Sequence, residues 1–100
     1  PTAIFAGCDE IAIGIMVAAR QLGISIPGEL SIIGIDGHPL AEMFGLTTLS
    51  QQPGAQGARA VELLLSQLEH AEAAPPDEHL LLPTALTVRA STAARREQSA

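Results

Sequence analysis

Residues 3–14 read AIFAGCDEIAIG, an apolar run that reaches Cys8 and Asp9 and then continues with helical spacing. The run predicts a strand over residues 2–6, because it is short, apolar and closed by a glycine. A helix over residues 10–22 follows, and Asp9 can cap its N-terminus by accepting a backbone N–H bond. Strand, turn and helix in this order predict an α/β fold.

A second apolar run, residues 30–35 (LSIIGI), ends in Asp36. Two strands separated by a helix usually pair in parallel, which gives a βαβ unit and a parallel sheet. Such sheets bind ligands beyond the carboxyl ends of their strands, where backbone groups and helix N-termini face the crevice. We therefore expect Cys8, Asp9 and Asp36 to lie at one rim.

The composition fits one folded domain and excludes several functions. The chain has 100 residues, of which 47% are hydrophobic, and its mean hydropathy of +0.30 predicts a core rather than disorder. The formal charge is -6 with five Lys or Arg residues, so this segment alone should not bind DNA. One cysteine cannot form an intrachain disulfide, and no apolar run is long enough to span a membrane. A strand-like start without an initiator Met indicates a chain entered in mid-fold.

The first helix is predicted to have two apolar faces. A period of about 100° per residue turns one set of residues toward the sheet, namely Ile11, Ile15, Ala18, Ala19 and Leu22. Ile13, Met16 and Val17 fall on the opposite face. An apolar outer face needs a second partner, and association of subunits is one way to supply it.

The rest of the chain predicts one more long helix and several short strands. Pro53 suits a first helical turn, and the helix behind it should reach about residue 69. Its apolar stripe consists of Ala58, Val61, Leu64, Leu65 and Leu68. Residues 40–46 predict an irregular or one-turn segment, and the Pro pair within residues 71–77 predicts a loop. The other predicted elements are strands over 46–49, 79–82 and 85–90 and a disordered tail over 93–100.

Four motifs follow one another along nearly the whole chain. They are PTAIFAGCDEIAIG, LGISIPGELSIIGIDG, LTTLSQQPGAQGARAVELLL and LLPTALTVRAST. In this order and spacing they resemble the effector domain of the LacI/GalR family of transcription regulators, although each motif alone is a weak signal. The resemblance implies a periplasmic-binding-protein-like fold of type I, of which this chain holds the C-terminal part.

By that resemblance, residues 1–92 belong to an effector-binding and dimerisation domain. About 1–49 and 81–92 would form its C-subdomain, and about 50–80 would cross to the N-subdomain. The implied partners are a small polar effector such as a sugar and a second copy of the chain in a homodimer or larger assembly. DNA would be bound only through an N-terminal helix-turn-helix outside this sequence. The implied location is the cytoplasm, with no membrane partner.

The resemblance also implies an effector site. Asp36 matches the family's acidic residue that accepts bonds from effector hydroxyls, although a turn-forming Asp is the simpler interpretation. Gln51 matches a residue at the crossover between subdomains that can face the ligand. Cys8 stands where Asn or Asp is common, so it either lines the cleft or is a small buried thiol. Asp9 lies at the cleft as well, although a helix cap would explain it fully.

The dimer interface of the family uses the outer face of the first helix and the segment after the second strand. The matching residues here are Ile13, Met16, Val17, Leu40, Met43 and Phe44. The first three already lack a core partner by helical spacing, so two arguments predict the same interface.

No cofactor, metal site or catalytic constellation is predicted. Three scattered His and one Cys lack the paired spacing of zinc sites, and no GxGxxG joins a strand to a helix. We therefore expect the effector-sensing part of a repressor rather than an enzyme. A periplasmic sugar-binding protein of an ABC transporter is the alternative, and a fragment of an α/β enzyme ranks third.

Overall fold

The computed structural model describes residues 1–70 and 79–97. In chain order its elements are β1 (Ala3–Phe5), α1 (Asp9–Gln21), β2 (Ser31–Asp36), α2 (Pro39–Met43), β3 (Thr47–Ser50), α3 (Pro53–Glu69) and β4 (Ala85–Thr87). The strands form one sheet in the order β1, β2, β3, β4. The first three run parallel, and β4 pairs antiparallel with β3. The predicted α/β fold with a mainly parallel sheet is confirmed.

The parallel pairing brings the carboxyl ends of three strands to one edge of the sheet. In the ladder between β2 and β3, Asp36 lies opposite Ser50. Because β1 runs in the same direction, the turns that follow all three strands leave the sheet on the same side. We call this region the strand-end edge, and it comprises Cys8, residues 36–38 and Gln51.

The buried core contains several small residues, which allow close packing. Its members are Ala6, Ala12, Leu30, Ile32, Ala41 and Leu46. Helix α1 approaches β2 so closely that a Cβ atom at Gly34 would collide with Asp9 Oδ1 and lie 3.2 Å from Asp9 Cα. The backbone of β2 can therefore meet the first turn of α1 only because this residue is a glycine.

The predicted orientation of α1 is wrong for most of its apolar residues. Ile11 and Leu22, predicted to pack on the sheet, are 55% and 75% exposed. Ile13 and Met16, predicted to face away, pack against the core, where Ile15 packs as predicted. The buried residues of α1 are Asp9, Ala12 and Ala19, of which the prediction contained only Ala19. Apolar residues occur around most of this helix, so their spacing does not define which face turns toward the sheet. The close approach of α1 to β2 at Gly34 defines that face instead.

Helix α3 spans Pro53–Glu69 as predicted, but it carries no buried residue. Its apolar stripe faces outward, with Leu64 56% and Leu68 66% exposed. Residues 80–82 line a shallow groove with Leu63 and its neighbours on α3. The predicted strand over 79–82 is wrong, because no strand among the described residues lies beside this segment to complete a ladder.

Some predictions fall on residues outside the described ranges. The loop predicted over 71–77 lies outside them, and so do residues 98–100 of the predicted tail. At the beginning of that tail, the N–H of Ala93 donates to the hydroxyl of Ser31 at 3.1 Å. Within the described residues, no helix combines the length and the apolar character needed to cross a membrane.

Candidate functional site

The strand-end edge carries three of the four predicted effector-binding residues. Cys8 is half-buried and is the N-cap of α1, with an extended φ of -159°. Asp36 is the last residue of β2 and Gln51 directly follows β3, and both are exposed. The parallel pairing therefore places a thiol, a carboxylate and an amide on neighbouring strand ends.

Asp36 holds an uncommon backbone conformation. Its φ is 136°, in the region that favours glycine, and Gly37 follows with a φ of 74°. A residue with a side chain costs of order 1–3 kcal/mol in such a conformation and persists there only when its surroundings hold it. Conformations of this kind cluster at binding sites, so the contacts that hold Asp36 bear on function.

Asp9 lies beneath the strand-end edge rather than on it. It is the first residue of α1 and is 0% exposed. Its Oδ2 accepts from the backbone N–H of His38 at 2.7 Å, and its Oδ1 accepts from the Thr48 hydroxyl at 2.6 Å. The Thr48 hydroxyl oxygen in turn accepts from the N–H of Gly37 at 3.2 Å. We call these bonded groups the Asp9 network.

The predicted capping role of Asp9 is wrong. Cys8 occupies the N-cap position, and no side-chain cap bond is made there. The carboxylate of Asp9 bonds instead to the turn after β2 and to β3, because the close packing over Gly34 places it beside those donors. Its negative charge still lies at the N-terminal end of α1, where the helix dipole favours it.

His38 fixes the far end of the same turn. Its Nδ1 accepts from the N–H of Leu40 at 3.0 Å and so caps α2. The other ring nitrogen, Nε2, lies 4.0 Å from Oε1 of Glu10, beyond hydrogen-bond distance. The backbone N–H of His38, rather than its ring, links the turn after β2 to the first turn of α1.

A second polar network involves Thr47, the residue before Thr48 in β3. The N–H of Thr47 donates to the Ser91 hydroxyl at 2.8 Å, and that hydroxyl donates to the carbonyl of Ile32 at 2.6 Å. The hydroxyl oxygen of Thr47 accepts from the N–H of Arg89 at 2.9 Å. This Thr47 network fastens the segment after β4 to the sheet, which explains why β4 is shorter than the predicted strand over 85–90.

Sequence reasoning missed most of both networks. Successive residues of a strand point to opposite faces, so two adjacent threonines between leucines in a buried strand signal two separate buried hydroxyls. Thr47 and Thr48 follow that rule, since the hydroxyl of Thr47 bonds the backbone of Arg89 and the hydroxyl of Thr48 bonds Asp9. No pattern in the sequence distinguished His38 as the cap of α2.

A groove on the outer side of the domain contains half of the predicted dimer residues. Met16, Val17 and Phe44 line it together with Arg20 and Gln21. The groove therefore presents an apolar surface with a cationic and an amide side chain. We call it the α1–α2 groove.

The other three predicted interface residues differ from one another. Leu40 and Met43 on α2 are 43% and 79% exposed. Ile13, like Met16, packs partly against the core, so the argument that these residues lack a core partner is wrong. The family resemblance is then the remaining argument for Ile13 as an interface residue.

The strand-end edge offers hydrogen-bonding groups. Within residues 1–70 and 79–97, no three His, Cys, Asp or Glu side chains lie where they could hold a metal ion together. All buried side-chain nitrogen and oxygen atoms in those same ranges have hydrogen-bond partners. The exposed carboxylate of Asp36 and the amide of Gln51 suit a polar ligand with hydroxyl groups.

Comparison with known proteins covers nearly the whole chain. The model of the periplasmic binding protein-like domain family matches residues 1–92. Over 92 residues the chain is 41% identical to the ribose operon repressor of Halalkalibacterium halodurans, covering 89% of this chain and 27% of that protein. The chain spans about a quarter of the length of the curated relatives it matches.

Two solved structures of regulators share the fold. The lac repressor dimer bound to operator and the anti-inducer ONPF is 31% identical, with a TM-score of 0.82 over 94% of this chain and 32% of that one. A LacI family transcriptional regulator from Lactobacillus casei with bound sucrose is 28% identical. Its TM-score is 0.76 over 92% of this chain and 34% of that one.

Proposed function

The chain belongs to the periplasmic binding protein-like domain family in the form found in LacI-family regulators, and we propose that it senses a sugar for a transcriptional repressor. The sugar binds at the strand-end edge, and no cofactor takes part. An N-terminal helix-turn-helix outside this sequence binds DNA in the cytoplasm. The similarity to named repressors favours this function over a solute-binding protein of a transporter.

The exposed carboxylate of Asp36, held in a strained conformation at the end of β2, is the observation that carries the proposal. A carboxylate accepts hydrogen bonds from two hydroxyl groups at once, which suits a sugar. Gln51 and Cys8 stand on the neighbouring strand ends and contribute further contacts. Bound sucrose in one regulator of the same fold supports the choice of ligand class.

The other half of the binding cleft comes from an N-subdomain to which residues of about 50–80 cross. The absence of any buried residue in α3 supports this division, because an apolar stripe of this length requires a covering surface. Residues of about 1–49 and 81–92 form the C-subdomain, and the antiparallel pairing of β4 with β3 supports their association. A sugar that fits the closed cleft better than the open one shifts the population of the repressor by its differential affinity.

Substitution of Asp36 tests the sugar site. In the full-length protein, Asp36→Ala should weaken binding of the sugars that the wild type binds, among sucrose, glucose and ribose, about tenfold to hundredfold, because a bond to a charged acceptor is lost. Titration calorimetry measures the affinity, and Glu42→Ala on exposed α2 is the matched control. Unchanged affinity removes Asp36 from the site. A wild type that binds none of the sugars contradicts the proposal.

The α1–α2 groove, together with Leu40, Met43 and Ile13, is the proposed interface between two copies of the chain. Val17→Asp should convert the full-length dimer to a monomer in light scattering, because an unpaired carboxylate would be buried. Leu22→Asp is the control, since Leu22, the C-cap of α1, is an exposed apolar residue outside the groove. A dimer that survives Val17→Asp, or one split equally by Leu22→Asp, places the interface elsewhere.

A further inference from the structure

We propose that Asp9 is a positioning residue that sets the affinity for the ligand through Asp36, by fixing the turn after β2. The inference rests on the sugar-sensing function proposed above. It assigns to a carboxylate that is 0% exposed an effect on binding without any contact to the ligand.

The Asp9 network holds the two peptide groups that follow Asp36. The N–H of Gly37 donates to the Thr48 hydroxyl oxygen at 3.2 Å, and the N–H of His38 donates to Asp9 Oδ2 at 2.7 Å. A rotation of Asp36 from its φ of 136° toward the ordinary β region would redirect both N–H groups away from these acceptors. The conformation of Asp36 is therefore coupled to the carboxylate beneath it.

The bond from the N–H of His38 to Asp9 has the features of a strong hydrogen bond. It is charge-assisted and short, and its acceptor belongs to a fully buried side chain. A strained conformation persists only where the surroundings over-determine it, and here the turn is tied to both α1 and β3. The glycine at position 34 completes the arrangement, since any Cβ there would occupy the space of the Asp9 carboxylate.

The two threonines of β3 supply a matched pair of variants. Thr47 and Thr48 are 2% and 1% exposed, but only Thr48 belongs to the Asp9 network. Thr48→Val removes the hydroxyl shared by Asp9 and Gly37 with little change in volume, and Thr47→Val makes the same change in the Thr47 network. Thr48→Ser keeps the hydroxyl, and Asp9→Asn replaces the carboxylate with an amide.

Amide hydrogen exchange tests the turn without any ligand. In the deuterated full-length protein studied by TROSY NMR, Asp9→Asn and Thr48→Val should speed exchange at Gly37 and His38 about tenfold or more. Thr48→Ser and Thr47→Val should leave both rates within about twofold of the wild type. Unchanged rates in Asp9→Asn and Thr48→Val would overturn the proposal, whatever sugar the protein binds.

A double-mutant cycle tests the path to the ligand. Thr48→Val should lower the affinity for the sugar bound by the wild type about tenfold, and by less than about twofold when Asp36 is already Ala. Equal losses in the two backgrounds would show that the network does not act through Asp36 and would overturn the proposal. If the wild type binds none of sucrose, glucose and ribose, the sugar-sensing function fails, while the exchange rates still decide whether Asp9 fixes the turn.

Discussion

Helices α1 and α3 both carry apolar residues at helical spacing, yet only one of them is packed. Asp9, Ala12 and Ala19 of α1 are buried, whereas α3 has 17 residues and none of them is buried. Ile13, Ile15 and Met16 of α1 also pack against the core, whereas the stripe of α3, mostly Leu and Val, is exposed. The contrast shows that an apolar stripe predicts the existence of a covering surface but not whether the same segment of chain provides it.

The first prediction compares the loss of stability when a side chain is truncated to Ala in the sheet beneath α1 and in the apolar stripe of α3. Ile32→Ala should lower the free energy of unfolding of the 100-residue chain by about 2–5 kcal/mol, because Ile32 is 0% exposed. Leu65→Ala should change it by less than about 0.5 kcal/mol, because Leu65 is 53% exposed. Urea denaturation followed by circular dichroism measures both.

The full-length protein sharpens the same comparison. There Leu65→Ala should cost about 2–4 kcal/mol if, as proposed, an N-subdomain covers the stripe of α3. An equally small effect in the full-length protein would mean that the stripe is exposed there too. The division of the chain into two subdomains would then be incorrect.

A smaller effect is expected from substitution of glycine by alanine, and its sign depends on whether the new Cβ meets a packed neighbour. Gly34→Ala should lower the free energy of unfolding by about 1–3 kcal/mol, because the new Cβ would collide with Asp9 and lie 3.3 Å from Ala12 Cβ. Gly14→Ala, on the exposed side of α1 with nothing within 4 Å, should raise it by up to about 1 kcal/mol. Urea denaturation of the full-length variants checks both signs, and a neutral Gly34→Ala would show that α1 lies farther from β2.

The smallest effect is expected on the polar side of α3. Arg59 Nη1 lies 3.1 Å from Glu62 Oε2, and both side chains are largely exposed. Arg59→Ala should therefore change the free energy of unfolding by less than about 0.5 kcal/mol, and added salt should reduce the effect further. A loss above about 1 kcal/mol in thermal unfolding would show that this side of α3 is covered as well.

The sequence predicted the elements better than their packing. Strands β1, β2 and β3 and helix α3 lie where apolar runs and Pro53 indicated, because local spacing and turn residues encode them. The rotation of α1 was wrong, because it depends on a missing Cβ at Gly34, a strand residue far from the helix in the chain. The strand over 79–82 was wrong for a related reason, since a strand requires a partner and apolar spacing contains no information about one.

In the candidate site, too, the positions of the elements were predictable and the contacts between them were not. Parallel pairing predicted from the βαβ pattern was enough to place Cys8 and Asp36 at one edge, and the family resemblance added Gln51. The burial of Asp9 and its bonds to Thr48 and His38 depend on contacts between three separate elements. No local pattern encodes such contacts, and a carboxylate after a strand is compatible with a cap, a ligand contact or a buried anchor alike.

The central claim is that the strand-end edge is the sugar-binding face of this domain. Hydrogen exchange of the full-length protein, with and without saturating sucrose, glucose or ribose, tests it most directly. The account predicts that one of these sugars slows exchange at residues 36–38 and beside Gln51 and leaves the α1–α2 groove at Val17 unchanged. Slower exchange confined to other parts of the protein, or no change with any of the three sugars, would contradict the account.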